Sequence, residues 1–110
     1  MGIRDQIRKG STEILLLTLL EDEPMYGYQI SQELAKRSDG YFDMKEGLLY
    51  PTLHRMQKDG LLSSEWRKAG AARRRKYYTI TQLGREQLTV QSTEWYLFMR
   101  KLQEMIPTQS

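Results

Sequence analysis

The chain has no cysteine, one histidine, three prolines and no aliphatic run longer than four residues, Ile14–Leu17. Without cysteine there is no disulfide scaffold, thiolate metal site or thiol nucleophile. A lone His54 leaves little for an imidazole metal site or a charge-relay triad. No phosphate-cradling glycine loop or nucleophile-elbow motif occurs. A membrane span needs roughly 20 apolar residues, and none approaches that. The first ten residues hold no hydrophobic signal core, and Met1-Gly2 lacks the Ser or Thr at position 6 that myristoylation requires, Gln6 standing there instead. The expected compartment is the cytoplasm, and the expected activity is not that of an enzyme. No cofactor is expected.

What is present is charge, unevenly placed. The 110 residues carry 17 Lys and Arg against 14 Asp and Glu, a net charge of +3. Six of those positives lie between positions 67 and 76 (Arg67, Lys68, Arg73, Arg74, Arg75, Lys76), with no acid among them. The rest of the chain is net acidic. A cluster of this density is the electrostatic footprint of a polyanion partner.

The length allows one domain with one core. A short polar helix is expected over residues 3–9, closed by Gly10. Ser11 or Thr12 then caps a helix to about Glu21, whose Ile14, Leu15, Leu16, Leu17, Leu19 and Leu20 leave almost no polar face, so it belongs at the centre of the core. Glu21-Asp22-Glu23-Pro24 reads as a solvated turn rather than a metal loop. A second helix covers Tyr26–Arg37 with Ile30 and Leu34 inward, Ser38-Asp39-Gly40 ends it, and residues 41–44 are extended. A third helix spans about Gly47–Lys58 with Leu49, Leu53 and Met56 as its buried stripe. Pro51 is tolerable in the first turn, which places the start near Leu48. The period then changes: Leu61–Lys68 and Arg73–Ile80 read as a β-hairpin around Ala69-Gly70-Ala71-Ala72, in which one of Tyr77 and Tyr78 faces the core. Thr81 caps a last helix from Gln82 to about Ile106, where Pro107 ends order.

That last helix has Leu88, Trp95 and Leu102 at intervals of seven, with Met99 and Ile106 four residues after the latter two, an a/d seam broken by Ser92. A 25-residue helix is about 37 Å long, against a radius of gyration near 13 Å for a compact domain of this length. Its distal half, with Phe98 beside the seam, needs cover from a second copy. Packing on residues 3–9 is the intramolecular alternative, although only Ile3 and Ile7 are available there.

Three helices, a basic hairpin and a closing helix make the order of a winged helix-turn-helix: mainly α (α+β), with a two-stranded wing and a long C-terminal dimerisation helix. Residues 1–80 form the DNA-binding unit, 81–106 the dimerisation helix and 107–110 a tail. In this architecture the third helix enters the major groove and the wing reaches the backbone or minor groove of double-stranded DNA. Tyr50, Thr52, His54, Arg55 and Lys58, with Pro51 among them, are the candidate contacts of the third helix. Arg67, Lys68, Arg73, Arg74, Arg75 and Lys76 are those of the wing. The rival reading is a winged-helix module in which wing and last helix bind an acidic protein partner.

Tyr26-Gly27-Tyr28-Gln29-Ile30, the run from Glu46 through Leu49-Tyr50-Pro51 and Leu53-His54-Arg55-Met56 to Asp59-Gly60-Leu61, and Arg74-Arg75-Lys76-Tyr77-Tyr78-Thr79-Ile80-Thr81 are similar to the PadR family of bacterial transcriptional regulators. The resemblance covers about residues 10–88. It implies a homodimeric winged-helix repressor that binds a palindromic operator and often releases it on binding a small molecule. The single C-terminal helix resembles the small subfamily that includes multidrug-responsive regulators, in some of which an aromatic residue of this helix stacks on planar drugs at the dimer interface. Trp95 stands in a comparable place, which makes Trp95, Phe98 and Met99 the candidate effector residues.

Overall fold

The computed structural model describes residues 3, 7 and 10–107. Most of the expected 3–9 helix and residues 108–110 of the tail therefore lie outside the described residues. Helix α1 (Thr12–Asp22) is the hub, with Leu16, Leu17, Leu19 and Leu20 buried and every later helix and the sheet packed around it. Such a segment has too weak a polar face to lie on a surface. It stops at Glu23, whose backbone is extended before Pro24.

Chain reversal at Pro24 produces a strand that the sequence pattern does not reveal. Strand β1 (Met25–Tyr26) pairs antiparallel with the hairpin, Met25 opposite Tyr78 and Tyr26 opposite Tyr77. Tyr26 is therefore committed to the sheet, and helix α2 (Gly27–Arg37) begins one residue later than expected. Its Ile30 and Leu34 are buried. Ser38 closes it, its Oγ donating to the Leu34 carbonyl at 2.8 Å and accepting from the Phe42 N–H at 2.9 Å.

Helix α3 (Glu46–Lys58) also differs in its start. The Lys45 carbonyl accepts from Leu48 N–H at 3.0 Å and Leu49 N–H at 2.9 Å, so the helix opens at Glu46 and Pro51 falls in its second turn, not its first. The proline leaves the Gly47 carbonyl without its i+4 donor. Both residues are exposed, so water can take the donor's place. Leu49, Leu53 and Met56 are buried as expected, and Thr52 joins them. The helix ends with Gly60 N–H on the Gln57 carbonyl and Leu61 N–H on the Met56 carbonyl.

Strands β2 (Leu62–Lys68) and β3 (Arg74–Ile80) form the hairpin, in register from Leu62 opposite Ile80 to Lys68 opposite Arg74. The sheet order is β1-β3-β2. Its base, with Leu62, Tyr78, Ile80 and Met25, closes the core, while its tip stands free. Thr81 caps helix α4 (Gln82–Met105), its Oγ1 accepting from Gly84 N–H at 3.0 Å and donating to the Gly60 carbonyl at 2.6 Å. Only Gly84 and Leu88 of α4 are buried. Leu88 thus belongs to this chain's own core rather than to a seam with another copy, because it falls on the stretch of α4 that crosses α1. Only the last turns of the helix, past Met99, run clear of the body, and the molecule measures 57 × 27 × 23 Å with a radius of gyration of 15.8 Å.

Candidate nucleic-acid interface

The outer face of α3 is built by subtraction. Once Leu49, Thr52, Leu53 and Met56 turn inward, Tyr50, Pro51, His54, Arg55 and Lys58 remain exposed. Thr52 is not on that face: it is 7% exposed, and its Oγ1 donates to the Leu48 carbonyl at 2.7 Å. Tyr50 lies over the start of α2, where residue 27 has no side chain; a Cβ there would stand 2.7 Å from Cε1 and Cζ of the ring. Arg55 is engaged within the chain. Its Nη1 lies 2.9 Å from Glu13 Oε1 and 3.6 Å from Asp59 Oδ2. Glu13 in turn accepts from Gln91 Nε2 at 2.5 Å, so one carboxylate of α1 joins α3 to α4.

The hairpin register divides the six cations. In an antiparallel pair, opposed residues share a face and neighbours alternate. Lys68, Arg74 and Lys76 lie on the face that also carries Tyr78 and Leu62, and Arg67 and Arg75 lie on the other, directly opposite each other. The inner face is the one turned to α3, since its Ser64 Oγ donates to Gln57 Oε1 at 3.0 Å. On the outer face Arg67 is held, with Nη2 2.8 Å from Glu65 Oε1 and its guanidinium 4.5 Å from the Tyr77 ring centre. Arg75 covers the Tyr26 ring at 4.4 Å, and Tyr26 meets Tyr77 edge-on at 5.4 Å. This ladder of rings and guanidiniums stiffens the exposed half of the wing. Arg73 stands exposed in the connecting loop, residues 69–73.

Between α3 and the inner face of the wing lies an open cleft of about 410 Å³, with Tyr50 and His54 on one side and Trp66, Arg74 and Lys76 on the other. Arg75, Tyr26, Gly27 and Tyr78 also line it. Burial, with a smaller contribution from the neighbouring Tyr50, raises the Tyr78 phenol above its ordinary value. The floor of the cleft is therefore neutral, and its walls are aromatic and cationic.

The fold that carries this cleft is shared with known proteins. The family model "Transcriptional regulator PadR-like family" matches residues 16–90. The chain belongs to the PadR-like family. A transcriptional regulator of Mycobacterium tuberculosis is 34% identical over 84 residues, covering 76% of this chain and 75% of its own. Among solved structures, a transcriptional regulator from Clostridium thermocellum superposes with a TM-score of 0.86 at 27% identity, covering 93% of this chain and 99% of that one. A PadR-like transcriptional regulator from Bacillus cereus gives 0.80 at 32% identity, with coverages of 94% and 99%. This PadR-like chain is accordingly a winged-helix transcriptional regulator, not an enzyme, and DNA is the partner its family implies. Among the described residues no helix is long and apolar enough to cross a membrane.

The residues expected on the seam of this PadR-like regulator separate. Met99 and Leu102 on α4 and Ile106 just past its end are exposed, Trp95 is half-buried, and Leu88 is in the core. Trp95 and Met99 line a second, mostly apolar cavity of about 330 Å³ with Ile7, Ile14, Leu15 and Phe42. Phe98 is not among its lining residues; it meets Trp95 edge-on at 5.8 Å. Sequence reasoning missed Trp66, Glu13 and Gln91. Trp66 was legible in the alternation Leu62, Ser64, Trp66, which carries the inner face past the end of the core. The joint made by Glu13 and Gln91 was not, because it spans 78 residues.

Proposed function

We propose that this regulator is a cytoplasmic repressor that binds a palindromic operator as a homodimer. The observation that carries the reading is the cleft itself, where the exposed face of α3 and the inner cations of the wing converge. An α-helix fits the major groove of B-DNA, about 12 Å wide, and base edges are read there. Tyr50, Pro51, His54, Arg55 and Lys58 face that groove. Arg74 and Lys76, with Lys68 and Arg73 nearer the tip, neutralise backbone phosphates and supply affinity without regard to sequence. Residues 1–80 do the binding and 81–106 the pairing. Dimerisation is supported by Met99 and Leu102, together with Val90, Leu97, Phe98 and Met105, all exposed on α4, and by Ile106 exposed at its end. An apolar surface of that extent on a free helix calls for a partner helix. Two copies then place their α3 helices about one DNA turn apart, near 34 Å.

Release is by a small planar ligand at Trp95, as in the multidrug-responsive members the sequence resembles. The apolar cavity that Trp95 and Met99 line supports this, being of the size that takes a small molecule. Selection of duplexes from a random pool tests the reading. A two-fold symmetric site bound with steep salt dependence is expected. Binding without sequence preference, or no complex at all, overturns it.

A further inference from the structure

Trp66 is 62% exposed at the free end of the hairpin, outside the core that the described residues form. It sits on the inner face of the wing, opposite Lys76 in the register and two pairs from Lys68 and Arg74, the next pair on the same face. Lys76 itself leans back over the Tyr78 ring, with Nζ 5.5 Å from the ring centre. Across the cleft stand Tyr50 and His54. An indole between three cations is a poor docking point for an apolar protein surface, which would have to bury those charges unpaired. It suits a strand that alternates negative phosphates with apolar sugars.

The location says which strand. With α3 in the major groove and the wing over the adjacent minor groove, the sugar–phosphate strand dividing the two grooves must pass between them, through this cleft. We propose that Trp66 is a DNA-contacting residue whose indole packs on a deoxyribose of that strand, with Lys76 and Arg74 on the flanking phosphates. This rests on the DNA-binding reading above and adds an uncharged component to it. The ring contributes apolar burial and a single N–H donor, neither of which displaces a counterion.

That distinction makes the role testable. Kd is measured against salt for the full chain, using the duplex preferred in the pool selection and an unrelated duplex of equal length. Trp66→Ala should weaken both by about tenfold, the scale of removing some tens of square ångströms of apolar surface from water. Its line of log Kd against log salt should run parallel to the parent's, whereas Lys76→Ala should flatten it. Trp66→Phe, which keeps the apolar area, should recover most of the loss. In a Trp95→Phe parent, the remaining indole emission should shift to the blue on adding the duplex. Unchanged Kd in Trp66→Ala, a flattened slope in that variant, or a silent indole in a parent that binds would overturn the contact alone. A parent that binds neither duplex would overturn the DNA-binding reading, and the contact with it.

Discussion

At the scale of single residues, a methyl group added at two glycines meets very different neighbours. A Cβ at Gly84 would run into the carbonyl oxygen of Leu61 and stand 2.7 Å from Ile80 Cγ1. That carbonyl is pinned by the Thr81 N–H at 3.0 Å and cannot retreat. Gly84→Ala should therefore lower the unfolding free energy in urea by about 1–3 kcal/mol, the usual cost of overpacking. At Gly27 the nearest atoms a Cβ meets are at the far end of the Tyr50 side chain, which is partly exposed and can turn toward solvent. Gly27→Ala should leave the urea midpoint nearly unchanged and instead weaken binding to the selected duplex, because Tyr50 loses its seat beside the cleft. Tyr78 gives the pH dependence. Its phenol is raised by burial, so the folded state holds the proton more tightly than the unfolded chain. That contribution is fully present below the ordinary value of 10.0 and is lost as pH rises beyond it. Urea midpoints measured between about pH 8 and 11 should fall at the alkaline end, and Tyr78→Phe should reduce the fall.

At the scale of elements, the wing acts as two surfaces rather than one charge cluster. Arg67, held by Glu65 and the Tyr77 ring on the outer face, is already engaged and points away from α3. Arg74 lines the cleft. Arg74→Ala should reduce the slope of log Kd on log salt by about 0.9, the value of one phosphate, and Arg67→Ala should leave it nearly unchanged. Six positives in ten residues were plain in the sequence, but a linear run does not show which face each takes. The strand alternation that does show it depends on a register settled by the hairpin loop. Helix positions were legible wherever the apolar stripe was made of apolar residues, as in α1 and α2. They failed at Thr52, which occupies a stripe position between Leu49 and Met56 and was read as outward because threonine is polar. Its hydroxyl is satisfied by the Leu48 carbonyl, so burial costs little. β1 was hidden for another reason: two residues carry no period, and the strand exists only because Tyr77 and Tyr78 arrive beside it.

At the scale of the whole molecule, α4 serves the fold at its start and reaches past it thereafter. Leu88→Ala should behave as a core truncation, lowering stability by about 2–4 kcal/mol in urea with little change in mass by sedimentation. Leu102→Glu should do the reverse, leaving the domain folded while sedimentation reports a monomer and affinity for a symmetric site drops. The same molecule keeps one edge of its sheet open. β1 covers β3 at Tyr77 and Tyr78, so Arg74, Arg75 and Lys76 lie on strand whose outer hydrogen-bonding side has no neighbouring strand among the described residues. Natural proteins guard such edges with charge, because a bare edge templates a strand from another molecule. The cations assigned above to a nucleic acid in the proposed complex are thus also expected to keep concentrated protein from stacking edge to edge into filaments. A variant stripped of all three to silence DNA binding would pay in solubility.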